Sequence, residues 1–316
     1  MSVRIRGTDR GQLILVTGLA IAAILVALVL LLNTVIYTEN LATRGADVGG
    51  HDVVEFRNLA TDGVGAVVVH ENQANHSSPG AVTTNATDGI RRYADLSERY
   101  YLERASVVEV SNLTVSTGMA LRHRNGTRTF TSKSGAKNWT LATNIGEGQL
   151  RRFQFELARE PLASSPSQSF RIVLDDGDDA WRAFVYRQAG DIVVATNTDA
   201  GGSPTPVCSA TTAKTTFSLT DETFAEEPCP IDFAGGLDDP YSVEYRYGNE
   251  ANGTYSVVVN TSAGAGVTAT NFVTDGSNSS PYTSHAVYSA TFDSYFRTPK
   301  LTYAERIRVA PGEHDD

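Results

Sequence analysis

The chain has 316 residues, 36 acidic against 26 basic, a net charge of −10 and only four lysines, Lys133, Lys137, Lys214 and Lys300. This balance excludes a nucleic-acid partner, which needs a basic footprint. It suits a surface in concentrated salt, where screening shortens to about 3 Å at 1 M.

The first predicted element is a basic leader, residues 1–11, with Arg4, Arg6 and Arg10 against Asp9. Residues 13–36 form an apolar run, and 12–45 is expected to be a hydrophobic transmembrane or assembly helix, since about 20 apolar residues cross the hydrocarbon core. A secretory signal would have about 7–15 apolar residues and a small-residue cleavage site, whereas this run ends in Asn33-Thr34-Val35-Ile36-Tyr37. The arginines keep the N-terminus inside and place the C-terminus outside. Leu13, Val16, Leu19, Ala23, Val26 and Leu30 are the expected assembly positions. The small residues Gly18, Ala20, Ala22 and Ala27 permit close approach.

The string Arg10-Gly11-Gln12-Leu13, with its glycine set directly before the apolar run, resembles the class III signal of archaeal type IV pilins. The resemblance implies cleavage between Gly11 and Gln12 by a prepilin peptidase. It also implies retention of the apolar helix and self-assembly, or assembly with other pilin subunits, into a haloarchaeal pilus or related filament. Val16 stands at the fifth mature position, where bacterial pilins usually carry Glu, so the bacterial form of the family is disfavoured. A permanent signal anchor, with the same orientation in the membrane, is the alternative reading.

Residues 46–104 are expected to be a helical stalk or packing region. A helix is predicted from Asp52, with Glu55 three residues on as in a capping box and Val53, Phe56, Ala60, Val64 and Val67 at helical spacing. Residues 73–87 read as a loop, and a second helix over 88–104 aligns Ile90, Tyr93, Leu96 and Tyr100. From residue 105 the period changes to two. Strands are predicted at 106–115, 150–157, 170–174, 180–188, 192–197, 241–247, 254–260 and 285–296, with Gly, Asn and Asp in the turns. The expected fold class is therefore α+β: a long N-terminal hydrophobic helix, a short helical region, and an antiparallel β-sandwich-like extracellular domain over 105–310. Residues 311–316 read as a flexible acidic tail.

Sequons at Asn75, Asn85, Asn112, Asn125, Asn138, Asn252, Asn260 and Asn278 point to a glycosylated exported protein. Cys208 and Cys229 bracket a Thr-rich stretch and read as a disulfide; metal binding is the poorer alternative without a Cys-x-x-Cys spacing. The cluster Asp175, Asp176, Asp178 and Asp179 about Gly177 is the one weak candidate for Ca²⁺, but it lacks an EF-hand register and reads better as a solvated hairpin turn. Trp139 and Trp181 read as core anchors, with a carbohydrate platform as the alternative. The six histidines show no metal-ligand spacing, and neither a Gly-x-Ser-x-Gly elbow nor a P-loop occurs. No catalytic residue, cofactor or small-molecule substrate is expected. The predicted function is that of a pilin-like filament subunit displaying an acidic β domain for adhesion or surface structure; a membrane-anchored surface glycoprotein that binds a partner is the alternative.

Overall fold

The computed structural model describes residue 29 and residues 50–198, 202–274 and 281–313. Two helices come first, α1 (Gly50–Glu71) and α2 (Pro79–Leu102). Helix α2 begins where Ser78, in extended backbone, accepts a hydrogen bond from the Ala81 amide at 3.2 Å and Pro79 occupies the first turn. A hydroxyl N-cap followed by proline satisfies an orphan N–H and pre-sets φ. The helices lie close because a Cβ at Gly63 would collide with the Tyr93 ring. The Tyr93 hydroxyl donates to the Leu59 carbonyl at 2.6 Å.

Fifteen strands follow among the described residues, in two antiparallel sheets. The larger has the order β10 (Glu227–Pro228), β9 (Thr223–Phe224), β8 (Lys214–Ser218), β3 (Leu150–Ala158), β12 (Gly253–Val259), β1 (Val107–His123), β14 (Tyr282–Arg297) and β15 (Thr302–Val309). The second runs β13 (Gly266–Val267), β2 (Trp139–Ile145), β11 (Tyr241–Arg246), β4 (Phe170–Asp175), β5 (Ala180–Gln188), β6 (Asp191–Asn197) and β7 (Thr205–Ala210).

Alternation along the strands builds the main core between the sheets. Leu121, Phe153, Phe155, Tyr255 and Val257 from one meet Trp139, Leu141, Ile172, Leu174, Trp181 and Tyr245 from the other. Aromatic rings fill its centre, with Phe130 and Tyr245 at 5.4 and 5.2 Å from the Tyr255 ring, edge to face. Burial of the Phe130 ring stabilises by about 1.5–3 kcal/mol.

A second apolar cluster joins the helices to the other end of the larger sheet. Val53, Phe56, Ala60, Val64, Val68 and Ile90 pack on Val108, Val287, Ala290, Phe292, Phe296 and Ile307. Phe56 lies 5.2 Å from the Tyr101 ring and 5.7 Å from that of Phe296. Asn72, just past α1, pairs with the backbone of β14: its amide donates to the Val287 carbonyl at 2.8 Å and its Oδ1 accepts from the Val287 N–H at 2.7 Å. After β15 the chain crosses to β3, where the buried Arg151 donates to the carbonyls of Pro311 at 2.6 Å and Val287 at 2.5 Å.

This architecture corrects the expected α+β fold class with its long N-terminal hydrophobic helix. The described chain is built mainly of strands, and its two helices lie against the larger sheet. Among the described residues no helix is long and apolar enough to cross a membrane. The reason is that α1 and α2 carry buried apolar residues at helical spacing among exposed polar ones, and that segments not predicted as strands, at 139–145, 205–210, 214–218 and 302–309, pair into the sheets. Residues 12–45, on which the hydrophobic-helix expectation rested, lie outside the described residues apart from Val29. So do Arg10, Gly11, Gln12 and Leu13, and with them Val16, Leu19, Ala23, Val26 and Leu30.

Candidate functional site

The strands β8, β3, β12 and the last residues of β1 turn one side chain in two toward the core and the next away from it. The outward set, Arg122, Gln154 and Glu156, Thr254 and Ser256, and Thr216, together with Arg124 just past the end of β1, lines a groove of about 520 Å³. Val69, Asn72 and Gln73 at the end of α1 form one wall, and Arg152 another.

Three arginines meet here in a chain of net charge −10. Arg122 is only 6% exposed, donating to Ser284 Oγ at 2.8 Å and to the Asn72 carbonyl. Burial lowers its proton affinity, and the positive charges of Arg124 and Arg152 act in the same sense against the stabilising influence of Tyr282. Arg124 is exposed, donates to the Gln73 carbonyl at 3.3 Å and lies 5.7 Å from the Tyr282 ring centre. Arg152 sits at a β3 irregularity with φ of 50°, its amide bonded to the Gly312 carbonyl at 2.5 Å. None of the three joins an ion pair among the described residues. The one carboxylate lining the groove, Glu156, is paired with Lys214 at 3.6 Å.

His123 turns the other way, into the core. Its ring stacks on Tyr255 at 5.4 Å, and Nε2 lies 2.9 Å from the Asn125 carbonyl, so Nε2 carries the proton and donates to it. Burial holds its pKa below the usual histidine range.

Cys208 on β7 and Cys229 just after β10 form a disulfide, with Cα atoms 5.9 Å apart. It ties an edge strand of one sheet to the edge of the other. The acidic cluster is the β4–β5 turn: Asp176 Oδ1 accepts from the amides of Asp178 and Asp179 at 2.9 and 2.7 Å, and its Oδ2 accepts from the Asp238 amide at 2.9 Å. Asp175 Oδ1 accepts from Gly177 at 2.9 Å. These backbone donors hold the Asp176 pKa below the usual carboxylate range. No set of metal-ligating side chains gathers among the described residues, at this turn or elsewhere. Trp139 and Trp181 are buried, their indole N–H groups donating to the carbonyls of Phe130 at 2.9 Å and Ile231 at 3.3 Å.

The sequon asparagines are scattered rather than gathered. Asn75, Asn85, Asn112 and Asn138 are exposed, while Asn125, Asn252 and Asn260 are half-buried. Asn85 lies on α2, not in a loop, and Asn112 sits at a β1 bulge with φ of 50°, donating to Asp293 at 2.7 Å. Asn278 lies outside the described residues. The arginines of the groove were missed by sequence reasoning; the available signal was Arg122-His123-Arg124, an alternating basic pair in a lysine-poor chain.

Residues 7–147 match a family of unknown function (DUF7261). The match runs through the apolar segment, both helices, β1 and β2, and so includes Arg122 and Arg124 but not Arg152. No curated protein and no solved structure matches the chain.

Proposed function

We propose that this protein is a pilin-like subunit of a cell-surface filament, held in the membrane by its apolar segment until a prepilin peptidase cuts after Gly11, and then assembled with like subunits. The observation that carries this reading is the Arg10-Gly11-Gln12 string placed directly before the apolar run of 13–36. Removing the leader removes three arginines that hold the segment against the cytoplasmic face. The described part of the chain supports display outside the cell: a disulfide closes the sandwich edges and four sequon asparagines are exposed. The helix pair also leaves apolar side chains open for neighbours, with Leu96 66%, Leu102 60% and Val54 55% exposed. No catalytic role is assigned.

N-terminal sequencing of native surface material tests the reading. Mature protein should begin at Gln12, and a Gly11 substitution should block both processing and filament assembly. Surface material that retains residues 1–11 would sink it. The groove favours a second reading, a permanently anchored surface glycoprotein that binds a ligand, and that uncut protein would be its signature.

A further inference from the structure

We propose that the groove across β1, β3, β8 and β12 binds an acidic saccharide, with its anionic groups on Arg124 and Arg152 and its hydroxyls on Gln154, Thr216, Thr254 and Ser256.

Charge is the first argument. Arg122, Arg124 and Arg152 line one groove, the Glu156 charge is met by Lys214, and among the described residues no other carboxylate lines the groove. Like charges gathered at one place cost energy unless a counter-charge arrives. Guanidinium forks match carboxylate and sulfate oxygens, and such charge-assisted hydrogen bonds are the strong ones. Arg122 is buried and held by Ser284 and Asn72, whereas Arg124, exposed and tied only by a 3.3 Å hydrogen bond to the Gln73 carbonyl, and Arg152 can close on a ligand.

The lining chemistry and size supply the second. Between the arginines the strand face carries hydroxyl and amide groups from three neighbouring strands, a grid of donors and acceptors suited to a polyol. A volume of about 520 Å³ is that of a site for a multi-ring ligand, well beyond one inorganic anion. Single-stranded nucleic acid fits poorly, because it needs exposed aromatic platforms, and the groove's Phe155 and Tyr255 are buried in the core. The inference holds whether or not the chain polymerises, so it and the filament reading fail separately.

Titration calorimetry on the full chain in non-ionic detergent tests it, with tetragalacturonate, neutral maltotetraose, sodium sulfate and a tetraglutamate peptide as probes. Tetragalacturonate should bind, and the other three at least about tenfold more weakly, the difference expected for one lost charge-assisted hydrogen bond. Arg124→Gln and Arg152→Gln should each weaken tetragalacturonate about tenfold, while Arg187→Gln, whose side chain pairs with Glu160 elsewhere, should not. Should R152Q fail to fold, exposed Arg124 carries the test alone. Equal binding of maltotetraose, of sulfate or of the peptide would overturn the proposal. So would no binding by tetragalacturonate, or an unchanged affinity in R124Q.

Discussion

Strand β1 has two halves with different work. Its first half, from Val107 to Val115, pairs on one side with β14 and lies under the helices through Val108, Val110 and Val115. Its second half, from Met119 to His123, pairs on both sides, packs Leu121 into the sandwich core and sends Arg122 outward. Gly118 stands at the junction, where a Cβ would meet the Val259 carbonyl oxygen, beside a register shift at 116–117. One strand thus anchors a helical cover at one end and floors an open polar groove at the other. Apolar burial fixes the first, whereas the second sets the buried Arg122 against Ser284 and Asn72 at the floor of the groove.

The comparison can be broken from the covered end. Phe56→Ala empties the contact with Tyr101 and Phe296 and should cost about 3–5 kcal/mol, read by denaturant unfolding. Hydrogen exchange should locate the loss in α1, α2 and the first half of β1, with the second half still protected; uniform loss would show that the two halves are one cooperative unit.

Replacing both Cys208 and Cys229 by serine opens a loop of sequence separation 21 at the far edges of the sheets, and should cost about 3 kcal/mol in the chain-entropy model. The two halves of β1 should keep their relative protection. Gly118→Ala strikes the junction itself and should cost about 2 kcal/mol, with both halves loosening together in exchange experiments. Loss confined to one half would place the division elsewhere.

The smallest effect is that of pH on the open end. His123 is buried neutral, so its folded pKa lies below the unfolded value of about 6.5. The unfolded chain then takes up the proton first, and stability present above about pH 6.5 falls as the pH drops toward the folded pKa. Melting temperature should decline from pH 7 to pH 5, with a shallower decline in His123→Phe. Equal slopes in both proteins would remove His123 as the cause.

The elements legible in the sequence were those whose pattern is local. The hairpin 170–174 and 180–188 is found as β4 and β5, because Ile172, Leu174, Trp181, Ala183 and Val185 alternate and an acidic glycine turn joins the runs. Helix α1 was readable from Val53, Phe56, Ala60 and Val64. What escaped depends on distant partners. Residues 79–87 read as loop, yet the Ser78 cap and packing of Val82 and Ala86 make them helix. Strand β15 is not among the predicted strands, since Glu305, Arg306 and Arg308 stand among Ile307 and Val309; pairing with β14 turns those two apolar residues inward. The groove escaped for a similar reason, since Arg122, Arg152 and Thr254 are brought together only by strand order.

The bond between Cys208 and Cys229 also sets how the molecule yields to pulling. A chain stretched from its ends cannot lengthen through the stretch between the two cysteines while the bond is intact. With 21 residues of separation, full extension is shortened by about 70 Å. A tethered copy pulled in oxidising buffer should therefore stop short by that length, and recover it once reductant is added.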